Sequence, residues 1–112
     1  MYKIYGIPNC NTVKKALTHL DKIGAEYEFI NFKKQAPTKE NLKEWKEAFG
    51  DWPVNKRGPT YRKIKDEFEA AKAPEKYKIL METTSAIKRP ILTKGKKTIS
   101  FGYDEDTYSA LG

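Results

Sequence analysis

The first third of the chain switches between two hydrophobic periodicities. A short apolar run at residues 2–5 is typical of a buried strand. Apolar side chains then recur at helical spacing before Gly24, a usual helix stop, at Val13, Ala16, Leu17, Leu20 and Ile23. The aromatic and β-branched residues 27–32 predict a second strand. Because a helix connects the two strands, they should pair in parallel, which restricts the fold to the α/β class.

The middle of the chain predicts a block of helices. Thr38 is placed to cap a helix that ends at Gly50, with an apolar face made of Leu42, Trp45 and Phe49. A short helix is expected over residues 60–65. Another begins at residues 73–75, with an apolar face made of Tyr77, Leu80 and Met81.

The last quarter predicts an antiparallel strand pair and a final helix. Residues 91–93 and 98–101 flank a glycine-containing loop at residues 94–97, which is typical of a β-hairpin. Asp104 is placed to cap a helix that continues to Leu111.

Together these elements predict a thioredoxin-like α/β fold with a helical insertion. Residues 1–35 hold the strand-helix-strand unit and the cysteine loop, residues 36–85 the insertion, and residues 86–112 the hairpin and C-terminal helix. We expect all three parts to form a single domain, since a chain of 112 residues can bury a core without metals or disulfides.

The charge pattern argues against nucleic acid as a partner. The net charge is +7, but the basic residues alternate with acids as on solvated helix faces, for example at Lys39-Glu40, Lys43-Glu44 and Lys46-Glu47. No apolar run is long enough to span a bilayer, so no membrane association is expected. The first residues lack the basic-then-apolar order of a signal peptide, so we expect a cytoplasmic protein. We also expect a monomer.

Cys10 is the only cysteine, and it lies where the first predicted strand turns into the first helix. The unpaired N–H groups of a first helical turn favour a thiolate, as do Lys14 and Lys15 close behind it. A small buried cysteine is the alternative. With no second cysteine the chain cannot form an internal disulfide, so any redox cycle at Cys10 needs an external thiol.

The single histidine, His19, is an unsuitable partner for this thiol. It lies about 13 Å of helical rise from Cys10, too far for a hydrogen bond, and we expect it on the surface. One cysteine and one histidine also cannot supply the usual zinc ligands, so no metal site is expected.

Three motifs resemble, in this order, the arsenate reductase (ArsC) family, which includes Spx-type regulators and small YffB-type proteins. They are residues 5–16 (YGIPNCNTVKKA), residues 55–63 (NKRGPTYRK) and residues 86–92 (AIKRPIL). The resemblance covers residues 2–111 and is closest to the YffB-type members. It implies a thioredoxin-like fold with Cys10 as the catalytic nucleophile.

The resemblance also implies an anion-binding or glutathione-binding role for Arg57, Arg89 and Lys14. Both arginines lie in predicted turns, and two guanidinium groups near a thiol would bind an anion bidentately and hold the thiol ionised. A surface ion pair is the alternative for each arginine. For Lys14 the alternative is a solvated helix residue.

Pro90, Asn9 and Thr12 are the expected substrate-docking residues. The family's arginine is followed by a proline that is typically cis, and a cis Pro90 would place the backbone beside the cysteine loop. The alternative is a trans proline that starts an edge strand. Asn9 and Thr12 either hydrogen-bond the thiolate or cap the helix, and capping is the expected role.

Two departures from the family narrow the expected function. Glutathione-linked arsenate reductases have a third arginine after the last strand, whereas residues 101–104 contain no basic residue, which weakens the case for arsenate. Spx-type regulators switch through a Cys-x-x-Cys pair, whereas Val13 occupies the second position here. An internal redox switch is therefore excluded, and the YffB-type branch remains the closest match.

We therefore expect an oxidoreductase in which Cys10 attacks a small oxyanion or a disulfide. No cofactor is expected to be bound; glutathione would serve as co-substrate, and glutathione or a glutaredoxin-like protein would resolve the adduct. The alternative is a non-catalytic thioredoxin-like adaptor or Spx-like regulator that binds a protein partner such as RNA polymerase.

Overall fold

The computed structural model describes residues 1–111 of the chain, which contain both strands and helices. The strands are β1 (Tyr2–Gly6), β2 (Tyr27–Asn31), β3 (Ile91–Lys94) and β4 (Lys97–Phe101). The helices are α1 (Asn11–Lys22), α2 (Lys39–Phe49), α3 (Pro59–Ala70), α4 (Ala73–Glu82) and α5 (Glu105–Ser109), with a short 3-10 helix at Thr84–Ala86. Within residues 1–111 no helix is both long and apolar enough to cross a membrane.

The elements divide between two units. The first unit contains Met1–Gln35 and the segment that starts at Arg89, and it holds the four strands, α1 and α5. The second unit, Ala36–Lys88, holds α2, α3, α4 and the 3-10 helix. In sequence, the helical segment therefore lies between β2 and β3, as the periodicities predicted.

The sheet of the first unit has the strand order β2-β1-β3-β4. The predicted parallel pairing of β1 with β2 is confirmed, with Ile4 opposite Phe29. Strand β3 runs antiparallel to both of its neighbours, and it places Leu92 opposite Ile4. The hairpin turn is shorter than predicted, because Lys94 pairs with Lys97 and leaves only two residues between the strands.

Helices α1 and α5 supply much of the core of the first unit. The cluster of fully buried side chains consists of Ile4, Ala16, Leu20, Leu92 and Tyr108. Asp104 caps α5 as predicted, because its carboxylate accepts hydrogen bonds from the Thr107 N–H at 3.1 Å and from the Thr107 hydroxyl at 2.6 Å. Helix α5 ends at Ser109, two residues before the predicted end.

In the second unit, α2 begins and ends where the sequence predicted. Thr38 forms a capping box with Asn41, and Gly50 ends the helix in the left-handed conformation at φ +85°. Leu42 and Trp45 of the predicted apolar face are buried, whereas Phe49 at the end of that face is only partly covered. Phe49 is 38% exposed, and the Lys88 ammonium lies 5.4 Å from the centre of its ring.

Helix α3 is twice as long as the six residues that the sequence predicted, with 12 residues. Tyr61 and Phe68 are both buried two turns apart on α3, with ring centroids 6.0 Å apart. Because both rings are buried, one face of α3 packs in the core, although most of the residues between the two rings are charged. Helix α4 begins at Ala73 as predicted and buries Ile79 and Leu80.

Candidate active site

Cys10 lies at the junction of β1 and α1, as the sequence predicted. The chain turns after β1, and the Cys10 N–H donates to the Ile7 carbonyl at 3.2 Å. The Cys10 carbonyl then accepts the Lys14 N–H at 3.0 Å, which is the first hydrogen bond of α1. Cys10 therefore occupies the N-cap position itself, and the expectation that Asn9 or Thr12 caps this helix is wrong.

The surroundings of Cys10 lower the pKa of its thiol. Partial burial raises the pKa, because it disfavours the charged form. The backbone N–H groups of Val13 and Thr12 oppose this effect, although the side chain makes no regular capping hydrogen bond. The Arg89 guanidinium adds a hydrogen bond and a favourable charge, and the pKa falls below its ordinary value.

A glycine allows these groups to approach one another. A Cβ atom at Gly6 would lie 2.8 Å from Val13 Cγ2 and 3.8 Å from Arg89 Cβ. Gly6 ends β1, Val13 lies in the first turn of α1, and Arg89 precedes β3. The absence of a side chain at Gly6 therefore lets three segments meet beside the thiol.

The peptide bond between Arg89 and Pro90 is cis, which confirms the conformation that the family resemblance implied. Pro90 is fully buried. Its carbonyl accepts the Gly102 N–H at 2.8 Å, so the residue after β4 is bound to the segment that carries Arg89. The docking role of Pro90 stays a prediction.

Two other predicted site residues, Lys14 and Arg57, belong to different units of the chain. Lys14 is exposed on α1, and Arg89 rather than Lys14 is the side-chain cation that lowers the Cys10 pKa. Arg57 is exposed in the turn before α3, in the second unit. There it lines a cavity of about 240 Å³ together with Asn55 and Lys88. The roles of Lys14 and Arg57 at Cys10 stay predictions.

The sequence did not predict the contacts of His19. This side chain is half-buried, with its Nδ1 atom 2.7 Å from the Tyr103 hydroxyl and its Nε2 atom 3.3 Å from the Ser109 hydroxyl. These partners lie more than 80 residues away in sequence, so no local pattern could identify them. In residues 1–111, no three His, Cys, Asp or Glu side chains cluster as metal ligands would.

Sequence reasoning missed Gly6 and Val13 as parts of the site. A glycine at the end of an apolar strand is itself a signal, because it often marks a close approach of another segment. Val13 lies in the first turn of α1, whose unpaired N–H groups were expected as a class to favour the thiolate, but its side chain gave no separate signal.

Comparison with known proteins agrees with this geometry. The sequence model of the ArsC family matches residues 5–111. An uncharacterized protein of Haemophilus influenzae is 32% identical over 112 residues, which cover 98% of this chain and 97% of the relative. The global transcriptional regulator Spx of Staphylococcus saprophyticus is 25% identical over 109 residues, covering 95% of this chain and 82% of Spx.

Solved structures give the same result. A YffB protein superposes with a TM-score of 0.86 at 34% identity, covering 98% of this chain and 97% of the other. A protein described as a possible arsenate reductase from Streptococcus mutans gives a TM-score of 0.77 at 30% identity, covering 92% and 91%. The chain therefore belongs to the ArsC family, with the thioredoxin-like α/β fold of that family.

Proposed function

We propose that this protein is a thiol reductase that uses Cys10 as its nucleophile and a thiol of another molecule to resolve the adduct. The observation that carries the proposal is the lowered pKa of Cys10, which lies at the start of α1 beside Arg89. The thiolate is the attacking species in thiol chemistry. Because Cys10 is the only cysteine, the second thiol must be external, and glutathione or a glutaredoxin-like protein is the proposed source.

The proposed reaction is a pair of thiol–disulfide exchanges. The Cys10 thiolate attacks the glutathione sulfur of a glutathione mixed disulfide, and the substrate leaves as a thiolate that takes up a proton. A second glutathione thiolate then attacks the glutathione sulfur on Cys10. This step releases glutathione disulfide and restores the Cys10 thiolate. Over one cycle the substrate thiol is released, one reduced glutathione is consumed, and this glutathione leaves with the glutathionyl group of the substrate as glutathione disulfide.

The neighbouring residues would act through charge and position. Arg89 stabilises the Cys10 thiolate and would hold a carboxylate of the incoming glutathione. Arg57 and Lys14 keep their predicted roles in anion binding, and Pro90 its role in docking the disulfide. We further propose that the protein works in the cytoplasm, where glutathione keeps Cys10 reduced.

Arsenate is a second substrate class to test, because the family includes arsenate reductases. Residues 101–104 contain no basic residue, although the resemblance implies a third arginine there in glutathione-linked enzymes. Arsenate is a multiply charged anion, so a missing cation weakens its binding. We therefore propose that disulfides react faster than arsenate.

Mass spectrometry after incubation with oxidised glutathione tests the proposal. We expect one glutathione adduct on Cys10, removed by added reduced glutathione, and no adduct on Cys10→Ser. Turnover of a glutathionylated peptide with reduced glutathione should likewise vanish in Cys10→Ser. Full turnover by that variant, or no adduct on the original chain, would contradict the proposal.

A non-catalytic adaptor is the second candidate function, because the chain is 25% identical to the regulator Spx over 95% of its length. Alkylation by iodoacetamide across a pH series separates the two functions. A reductase should react well below the pH of about 8.5 at which an ordinary cysteine titrates. An ordinary profile for Cys10 would favour the adaptor.

A further inference from the structure

A groove of about 800 Å³ runs beside α1 and α5 in the first unit. Its lining includes Lys14, Lys15, Lys22 and Ile23 from the α1 side and Tyr103 and Glu105 from the α5 side. We call this feature the α1–α5 groove. Cys10 is not among the residues that line it, although Lys14, which keeps a predicted anion-binding role at Cys10, does line it.

The α1–α5 groove has a strongly positive wall. Lys14, Lys15 and Lys22 all lie on α1 and are exposed, whereas Glu105 is the acidic residue that faces the groove. Among residues 1–111, none of these three ammonium groups forms an ion pair within 4 Å. Their charges are therefore available to a ligand that carries carboxylates or phosphates.

The floor of the groove is held in place by side-chain contacts. The Tyr103 hydroxyl lies 2.7 Å from Nδ1 of His19, and the Ser109 hydroxyl lies 3.3 Å from Nε2 of the same ring. Tyr103 also packs edge-on against the buried Tyr108 ring, with centroids 5.0 Å apart. Because α1 and α5 are joined in this way, a ligand would meet a groove that is already formed.

We propose that the α1–α5 groove binds an acidic, extended segment of a partner protein. Lys14 and Lys22 are eight residues apart on a helix, which corresponds to about 12 Å of rise. An extended peptide presents same-face side chains about every 6.6 Å, so two such steps span about 13 Å and match this spacing. Tyr103 and Ile23 add apolar surface to the lining of the groove.

A peptide fits the groove better than a nucleic acid does. Glu105 faces the groove from the first turn of α5, and Asp104 caps that helix. A phosphate chain carries a negative charge at every nucleotide and would meet this acidic side, whereas carboxylates can be spaced to avoid it. The groove proposal goes beyond the reductase proposal and does not depend on it.

Fluorescence anisotropy at low ionic strength tests the proposal with a labelled octapeptide of alternating glutamate and alanine. The test variant is the double substitution Lys14→Glu and Lys22→Glu. The matched control is Lys43→Glu and Lys63→Glu, which reverses two exposed lysines of the second unit and changes the net charge equally. We expect about tenfold weaker binding for the groove variant and less than about a twofold change for the control.

Chemical-shift mapping on the unsubstituted protein provides an independent measurement that needs no variant. The peptide should perturb amide signals along α1 and at Tyr103, and not in α2 or α3. Equal loss of binding in both double variants, shifts spread over both units, or no binding would overturn the proposal. Tighter binding of an eight-nucleotide oligothymidylate with the same lysine dependence would overturn it in favour of nucleic acid.

Discussion

Replacing Gly6 with alanine should destabilise the fold because the new methyl group would collide with Val13. An ideal Cβ at Gly6 lies 2.8 Å from Val13 Cγ2, whereas ordinary contacts of this kind are 3.4–4 Å. Val13 is fully buried, and its branched side chain has little rotational freedom in a helix. The side chain cannot swing away, so the first turn of α1 must move by roughly 0.6 Å or more to restore normal contact distances.

Overpacking of this kind costs about 1–3 kcal/mol. The lower chain entropy of alanine in the unfolded state offsets about 0.4–1 kcal/mol of that cost, because Gly6 has no positive φ angle. The two ranges leave a net loss of about 0–2.6 kcal/mol, with a central value of about 1.3 kcal/mol. Since the urea dependence for a small protein is roughly 1–3 kcal/mol per molar, this central value lowers the unfolding midpoint by about 0.6 M.

A double-mutant cycle in urea, followed by tryptophan fluorescence, tests this reasoning. Val13→Ala removes both γ-methyl groups, including the Cγ2 methyl that the new Cβ would strike, so Gly6→Ala should cost almost nothing in that background. A penalty for Gly6→Ala that is the same with and without the Val13 methyl groups would refute the collision. In the single variant we also expect the pKa of Cys10 to rise, because the Val13 N–H that favours the thiolate would be displaced.

Three further predictions concern the thiol, a helix cap and a buried phenol. Arg89→Met should raise the pKa of Cys10, because the guanidinium that lowers it is removed; the pH profile of alkylation should move to higher pH, and an unchanged profile would contradict this. Thr38→Ala breaks the capping box with Asn41 and should lower the free energy of unfolding in urea by about 1 kcal/mol. Burial raises the pKa of Tyr108 to about 12. Between about pH 10 and pH 12 the folded state therefore keeps a phenol proton that the unfolded state has lost, so the free energy of unfolding should fall as the pH rises through this range. In Tyr108→Phe, melting temperatures measured over this range should decline less steeply.

The elements of the first unit could be predicted because their signals are local. A short apolar run at residues 2–5 identifies β1, and the helical spacing of apolar residues from Val13 onward identifies α1. The helical connection between the first two strands implies their parallel pairing. The Asp104 cap depends on a partner only three residues away. The same holds for Thr38 at the start of α2.

The features that could not be predicted depend on contacts between distant segments. His19 contacts Tyr103 and Ser109 through the packing of α5, which no helical pattern in α1 reveals. The full length of α3 depends on two buried rings at the ends of a charged stretch. The effect of Arg89 on Cys10 was expected only through the family resemblance, because 78 intervening residues separate the two in sequence.

The charge beside Cys10 also bears on which substrates the thiolate can attack. A neutral disulfide brings no charge, so Arg89 continues to stabilise the thiolate while the substrate binds. An oxyanion competes with the thiolate for the same guanidinium and thereby raises the pKa of Cys10 as it arrives. We therefore expect reduction of an oxyanion to need a further cation, and Arg57 is one of the residues for which the family resemblance implies anion binding.

Arg57→Met separates the two substrate classes. If Arg57 supplies the second cation, the variant should react with 2-hydroxyethyl disulfide, which is neutral, as fast as the unchanged chain does. Arsenate should protect Cys10 from alkylation less well in the variant, because one of the cations that bind it is lost. The matched control is Arg62→Met, which removes an exposed arginine of α3 outside the predicted site. It should change neither the rate of reaction with the disulfide nor the protection of Cys10 by arsenate. An equal loss of disulfide reactivity and of arsenate protection in Arg57→Met would mean that Arg57 acts on the thiolate itself. The proposal that Arg89 stabilises the thiolate while Arg57 binds the oxyanion would then be wrong.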